Sequence, residues 1–154
     1  MQIVLGADHA GFELKKALIE LVEELGHAVV DVGAHKYDRS DDYPDFAEAV
    51  ARAVVEKKGE RGIVICGSGV GASIAANKLP GIRAGICHDT YSAHQCVEHD
   101  DTNILVLGSR IIGIELARDI VRTYLGATFS DEERHQRRLK KIYKIESYYL
   151  KKCV

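Results

Sequence analysis

Short runs of aliphatic and β-branched residues alternate with helix-period segments along the whole chain, and this alternation restricts the fold more than any other feature. Ile3-Val4-Leu5, Val29-Val30-Asp31-Val32, Ile63-Val64-Ile65-Cys66, Ala84-Gly85-Ile86-Cys87 and Ile104-Leu105-Val106-Leu107 read as buried strands. Their near-continuous apolarity suits a parallel sheet covered on both faces. Between them, Leu14, Leu18, Leu21, Val22 and Leu25 recur at helical spacing, and Gly26 ends that helix. Ala47, Val50, Ala51, Val54 and Val55 repeat the pattern behind Pro44, a good early-helix residue. Further helices are expected over 72–78, 92–98 and 114–125. A last one opens with the capping box Ser130-Asp131-Glu132-Glu133 and runs to about residue 150. The pattern predicts an α/β protein, a three-layer α/β/α sandwich with its ligand site beyond the carboxyl ends of the strands.

Composition narrows the class. At 154 residues the chain matches one domain, 1–154, and is long enough to bury a core without disulfides or metal. A formal charge of -2 gives no global positive field for nucleic acid. No apolar run approaches the ~18 residues of a membrane span, and the first residues lack the pattern of a signal peptide. A cytoplasmic protein is expected, with Cys66, Cys87, Cys96 and Cys153 reduced; their spacing contains no C-x-x-C pair.

The strand-end loops carry the chemistry. Gly6-Ala7-Asp8-His9-Ala10-Gly11 puts a carboxylate and an imidazole at the mouth of the sheet, where Asp8 either caps the first helix or joins in catalysis. Cys66-Gly67-Ser68-Gly69-Val70-Gly71-Ala72 follows the third strand, and its glycines allow close backbone approach to an anion. It lacks the Walker A lysine, the arginine of a C-x5-R phosphatase loop and the first glycine of a G-x-S-x-G elbow. A dinucleotide fingerprint matches weakly at Gly67, Gly69 and Ala72, with Asp89 downstream. Cys66 stands just before a helix N-terminus, a position that favours a thiolate, and the functional reading outweighs a merely buried cysteine. His94, Glu98 and His99 miss the metal-binding spacings, so no metal is expected, and His99 reads as an acid/base group in a polar loop. Arg134 and Arg138 share a helix face, either as a solvated stripe paired with Asp131 and Glu133 or as an anion clamp. The last helix carries an apolar stripe of Leu139, Ile142, Tyr149 and Leu150 and is expected to pack on a partner subunit. Together these groups suit proton transfer on a small anionic substrate, with no cofactor required.

The same residues resemble type B ribose-5-phosphate isomerase, in the family shared with galactose-6-phosphate and allose-6-phosphate isomerases. The resemblance spans nearly the whole chain. It rests on Gly6-Ala7-Asp8-His9-Ala10-Gly11-Phe12, Asp42-Tyr43-Pro44, the run from Cys66 to Lys78, Glu98-His99-Asp100-Asp101-Thr102-Asn103, Gly108-Ser109-Arg110 and Arg134-His135-Gln136-Arg137-Arg138. It implies a Rossmann-like five-stranded parallel sheet, and a homodimer or dimer of dimers with active sites at the interface. It implies Cys66 as the base between C1 and C2, Ser68 as the proton shuttle between the two oxygens, and the amides of residues 67–71 as the enediolate cradle. His99 from the partner would open the furanose ring, with Asp8 and His9 assisting. Arg110, Arg134 and Arg138 would bind phosphate; Tyr43, Gly67, Gly69, Val70, Gly71, Asp100 and Asn103 complete the substrate contacts. Relatives without the cysteine carry glutamate where this chain has Ala72, which puts this chain in the cysteine-base branch. Asparagine commonly follows the catalytic histidine where this chain has Asp100, so Asp100 faces away or contacts sugar hydroxyls through its backbone. The implied reaction interconverts ribose 5-phosphate and ribulose 5-phosphate. A six-carbon phosphosugar isomerase, a nucleotide-binding module and a non-catalytic scaffold subunit are the alternatives.

Overall fold

The computed structural model describes residues 1–152, so Cys153 lies outside the described residues. The strands are β1 (Gln2–Ala7), β2 (Ala28–Asp31), β3 (Arg61–Cys66), β4 (Ala84–Ile86) and β5 (Ile104–Gly108). They form one parallel sheet in the order β2-β1-β3-β5-β4. The helices are α1 (Phe12–Glu24), α2 (Tyr43–Val55), α3 (Val70–Ala76), α4 (Thr90–Asp100), α5 (Ile114–Gly126) and α6 (Glu133–Leu150).

Strand alternation splits the core into two layers. Ile3, Leu5, Ala7, Ile63, Ile65, Leu105 and Leu107 pack with Leu18 and Leu21 of α1, Ala93 and Val97 of α4, and Ile120 and Tyr124 of α5. Val4, Val64, Cys66, Ile104 and Val106 pack on the other face with Val50 of α2 and Ala72 and Ala76 of α3. Five parallel strands sandwiched between helices bear out the expected architecture.

Local boundaries differ where loops impose other demands. The α3 helix starts at Val70, two residues early, because left-handed Gly69 (φ 84°) turns the chain directly into it. The α4 helix runs on to Asp100, so His99 lies in its last turn and not in a loop beyond it. The capping box does not form at Ser130. Asp131 adopts a left-handed backbone (φ 57°), and Glu132 becomes the N-cap, without a side-chain cap bond. The Ser130 hydroxyl instead accepts the Glu132 amide at 3.3 Å and lies 2.6 Å from His135 Nδ1. Asp8 is not the N-cap of α1; Gly11 is, and its amide donates to Asp8 Oδ1 at 3.1 Å.

Register delivers the site. Ala7 pairs with Ile65, and Cys66 with Gly108, so the loops after β1, β3 and β5 leave the sheet side by side. The chain winds from β1 outward to β2, then returns to β3 on the other side. That reversal opens a crevice between the first two loops.

Candidate active site

Three loops are stitched together at this crevice. Ser109 N–H donates to Cys66 O at 2.8 Å and Arg110 N–H to Gly67 O at 3.0 Å, tying the β5 loop to the β3 loop. The Ser109 hydroxyl donates to Ala10 O at 2.7 Å, tying it to the β1 loop. Gly108 makes this closeness possible, because a Cβ there would lie 2.7 Å from the Ser68 backbone. The loops enclose a cavity of about 380 Å³ lined by Asp8, His9, Ala10, Tyr43, Cys66, Gly67, Ser68, Gly71, Arg110 and Ile111.

Within it, Cys66 is buried at 4% exposure, and its sulfur accepts the Gly69 amide at 3.1 Å. A backbone donor aimed at sulfur is the polarity that a thiolate demands. The Ser68 hydroxyl is exposed on the same loop and accepts the Val70 amide at 3.3 Å. The Arg110 guanidinium stands over Gly67, with Nη1 3.5 Å from where a Cβ would sit. Tyr43, at the start of α2, closes over Gly71, where a Cβ would meet ring Cζ at 2.4 Å. Thus thiol, hydroxyl, guanidinium, carboxylate and imidazole meet around one small volume.

One further residue belongs here that sequence reasoning missed. Asp41 Oδ1 accepts the His9 backbone amide at 2.9 Å and lies 2.7 Å from His9 Nδ1. It follows His9 by 32 residues in a loop without any catalytic motif, so nothing local announces it. The donor atoms of Asp8, His9 and Asp41 lie within 4.8 Å of one another.

Other expected site residues lie elsewhere in the chain. His99 stacks on His135 of α6, with ring centroids 4.1 Å apart. His135 is buried, and burial, then the neighbouring His99, holds its imidazole below the ordinary histidine range. Arg134 and Arg138 sit beside this pair on the exposed side of α6, and Arg134 Nε bonds Glu132 at 2.8 Å, not the expected Asp131 or Glu133. The Asp100 side chain is exposed, while its carbonyl accepts from Arg83 at 3.2 Å. Asn103 precedes β5, at the opposite end of the sheet from Cys66. Its amide is spent on Arg83 N–H (2.8 Å) and Gly81 O (2.8 Å), a structural bridge within this chain. One copy therefore gathers most of the expected set at this cavity or on its loops, and leaves His99, Asp100, Asn103, Arg134 and Arg138 away from it.

Known proteins place the chain. Residues 3–142 match the model of the family described as Ribose/Galactose Isomerase. The chain is 47% identical over 145 residues to ribose-5-phosphate isomerase B of Escherichia coli, covering 94% of this chain and 96% of that one. It is 40% identical over 129 residues to D-erythrulose-4-phosphate isomerase of Pectobacterium atrosepticum, covering 84% and 85%. The solved ribose-5-phosphate isomerase B of Clostridium thermocellum superposes with a TM-score of 0.93 at 49% identity, covering 97% of this chain and 99% of that one. The chain belongs to the ribose/galactose isomerase family and is an isomerase of phosphorylated sugars. Among the described residues, no helix is long and apolar enough to cross a membrane.

Proposed function

We propose that the chain interconverts ribose 5-phosphate and ribulose 5-phosphate in the cytoplasm through a cis-enediolate, with Cys66 as the base. The observation that carries the mechanism is a buried thiol facing the site cavity, with the Gly69 amide 3.1 Å from its sulfur. On the open-chain aldose, Cys66 takes the proton from C2, and charge builds on the carbonyl oxygen. Fixed amides of the 67–71 loop stabilise that charge without reorganising. Ser68 passes the hydroxyl proton between the two oxygens, and Cys66 returns the carbon-bound proton to C1. Arg110 binds phosphate, and Tyr43 closes the cavity over the sugar.

A second copy of the chain completes the site in this reading. Its His99 opens the furanose, with Asp8 and His9 assisting, and its Arg134 and Arg138 clamp phosphate. Exposed Ile142, Ile145, Tyr148 and Tyr149 on α6 support docking across a two-fold axis, because an apolar helix face needs a cover. Asp100, exposed at the same helix end as His99, faces away from the sugar or meets its hydroxyls through the backbone.

The test is a coupled isomerase assay of the purified chain on four-, five- and six-carbon phosphosugars. Ribose 5-phosphate should give the highest kcat/KM; a preference for a four- or six-carbon substrate refutes the assignment. Cys66→Ala should lose about 10²–10⁴-fold in kcat while still binding a phosphosugar analogue. Near-normal turnover would put the base elsewhere.

A further inference from the structure

The cavity histidine is held by a carboxylate delivered from a distant loop. Asp41 Oδ1 accepts the His9 main-chain amide at 2.9 Å and meets Nδ1 at 2.7 Å. An ionised carboxylate only accepts, so the proton shared in that contact belongs to Nδ1. Nε2 is then the ring nitrogen left to the cavity that His9 lines.

The loop is braced to present this group. Lys15, its side chain 2% exposed, donates through Nζ to Asp31 at 2.6 Å and to the Ala34 carbonyl at 2.8 Å, pinning the loop where it leaves β2. Farther on, Asp38 accepts the Ser40 amide at 2.9 Å and its own carbonyl accepts the Asp41 amide at 3.1 Å, forming a tight turn directly before Asp41. Tyr37, from the same loop, sets its ring edge against His9, with centroids 6.4 Å apart. Asp41 Oδ2 is buried and has no hydrogen-bond partner among the described residues. Anchoring one main-chain amide engages a single lone pair of Oδ1, whereas the same oxygen also meets Nδ1. The carboxylate has a further use beside the imidazole.

We propose that Asp41 is a positioning residue that locks His9 in its Nδ1–H tautomer and aims Nε2 into the site as an acceptor for a sugar hydroxyl. This deepens the isomerase reading and rests on it for the identity of the ligand. Asp41 touches no substrate; it acts through His9. A partner that orients a functional imidazole in this way is commonly worth about 10–100-fold in activity.

The experiment combines imidazole ¹⁵N spectra with a double-mutant cycle, using Asp41→Leu and Asp41→Asn. His9 signals are assigned by their loss in His9→Ala, above the pH where the ring is charged. Wild type should show a protonated Nδ1 and a bare Nε2. Asp41→Leu should release the ring to the Nε2–H form and lower kcat/KM about 10–100-fold. Asp41→Asn keeps an acceptor of the same shape, so it should retain the tautomer and most of the activity, and it guards against a folding defect in the leucine variant. In the His9→Ala background, Asp41→Leu should cost less than about twofold, because its effect runs through His9. An Nε2–H ring in wild type, or the same loss with and without His9, overturns the proposal. A wild type inactive on every phosphosugar would instead refute the isomerase reading, while the tautomer result still decides whether Asp41 sets the ring.

Discussion

Replacing Gly11 with alanine tests whether the site's geometry depends on one close approach of backbones. Gly11 has ordinary backbone angles (φ -91°, ψ -4°), so alanine adds no conformational strain. The obstacle is contact. A Cβ at this position would lie 2.5 Å from Ile65 O, 2.7 Å from Ile65 Cγ2 and 2.8 Å from Ile65 C. Ile65 sits in β3, held between β1 and β5, and cannot retreat. Reaching an ordinary 3.4 Å contact therefore moves Gly11 by about 0.9 Å, which either stretches the 3.1 Å bond from its amide to Asp8 beyond use or drags Asp8 and His9 along with it. In the first case overpacking costs about 1–3 kcal/mol and the lost hydrogen bond about 1 more. At about 2–4 °C per kcal/mol for a domain of this size, the melting midpoint should fall by roughly 4–16 °C. In the second, a displacement near 1 Å of Asp8 and His9 should lower kcat/KM about 10²-fold. Calorimetry and the coupled assay read both effects. Gly126→Ala is the control: among the described residues no other group lies within 4 Å of its added methyl at the end of α5, and stability should hold or rise by up to about 1 kcal/mol. A Gly11→Ala protein that melts and turns over like wild type would refute the reasoning.

Arg134→Ala and Arg138→Ala should each raise KM for the phosphosugar at least about tenfold, as lost charge-assisted bonds would require; an unchanged KM in both makes the pair a solvated stripe. His135 adds a pH dependence to stability, because its folded-state affinity for protons lies below the unfolded reference of 6.5. The unfolded chain binds more protons in that window, so this contribution is complete above pH 6.5 and lost as pH falls toward the lowered folded value. His135→Asn should flatten the fall of the melting midpoint as pH drops below about 6.5, and an unaltered slope would show that His135 does not carry it. Lys15→Met leaves Asp31 and the Ala34 carbonyl without their buried donor and should cost about 3–5 kcal/mol in denaturant melts, whereas a loss within about 0.5 kcal/mol would show that the brace is dispensable.

Much of this protein is written in local pattern. Apolar runs such as Ile63-Val64-Ile65 can be satisfied only as buried strands, and the stripe at Leu18, Leu21 and Val22 only as a helix laid against them. The cysteine–glycine loop and the Asp8-His9 pair are contiguous, so their place at strand ends and their chemistry are legible together. Boundaries were less so. Ser130 has the spacing of a capping box, but its hydroxyl is claimed by His135 and the helix starts later. That competition depends on a buried imidazole whose burial no local window contains.

Tertiary structure decided which groups meet. The order β2-β1-β3-β5-β4 sets the loops after β1, β3 and β5 side by side, and only then do Asp8, Cys66 and Arg110 share a cavity. The same topology sends Asn103 to the opposite sheet end and stacks His99 on His135. It also swings Asp41 across 32 residues of chain to His9. Periodicity constrains each element through its own neighbours in sequence. The meeting of distant loops depends on strand order and register, which arise from packing the whole sheet at once, so the sequence determined the elements and reactive side chains while the tertiary structure decided their partners.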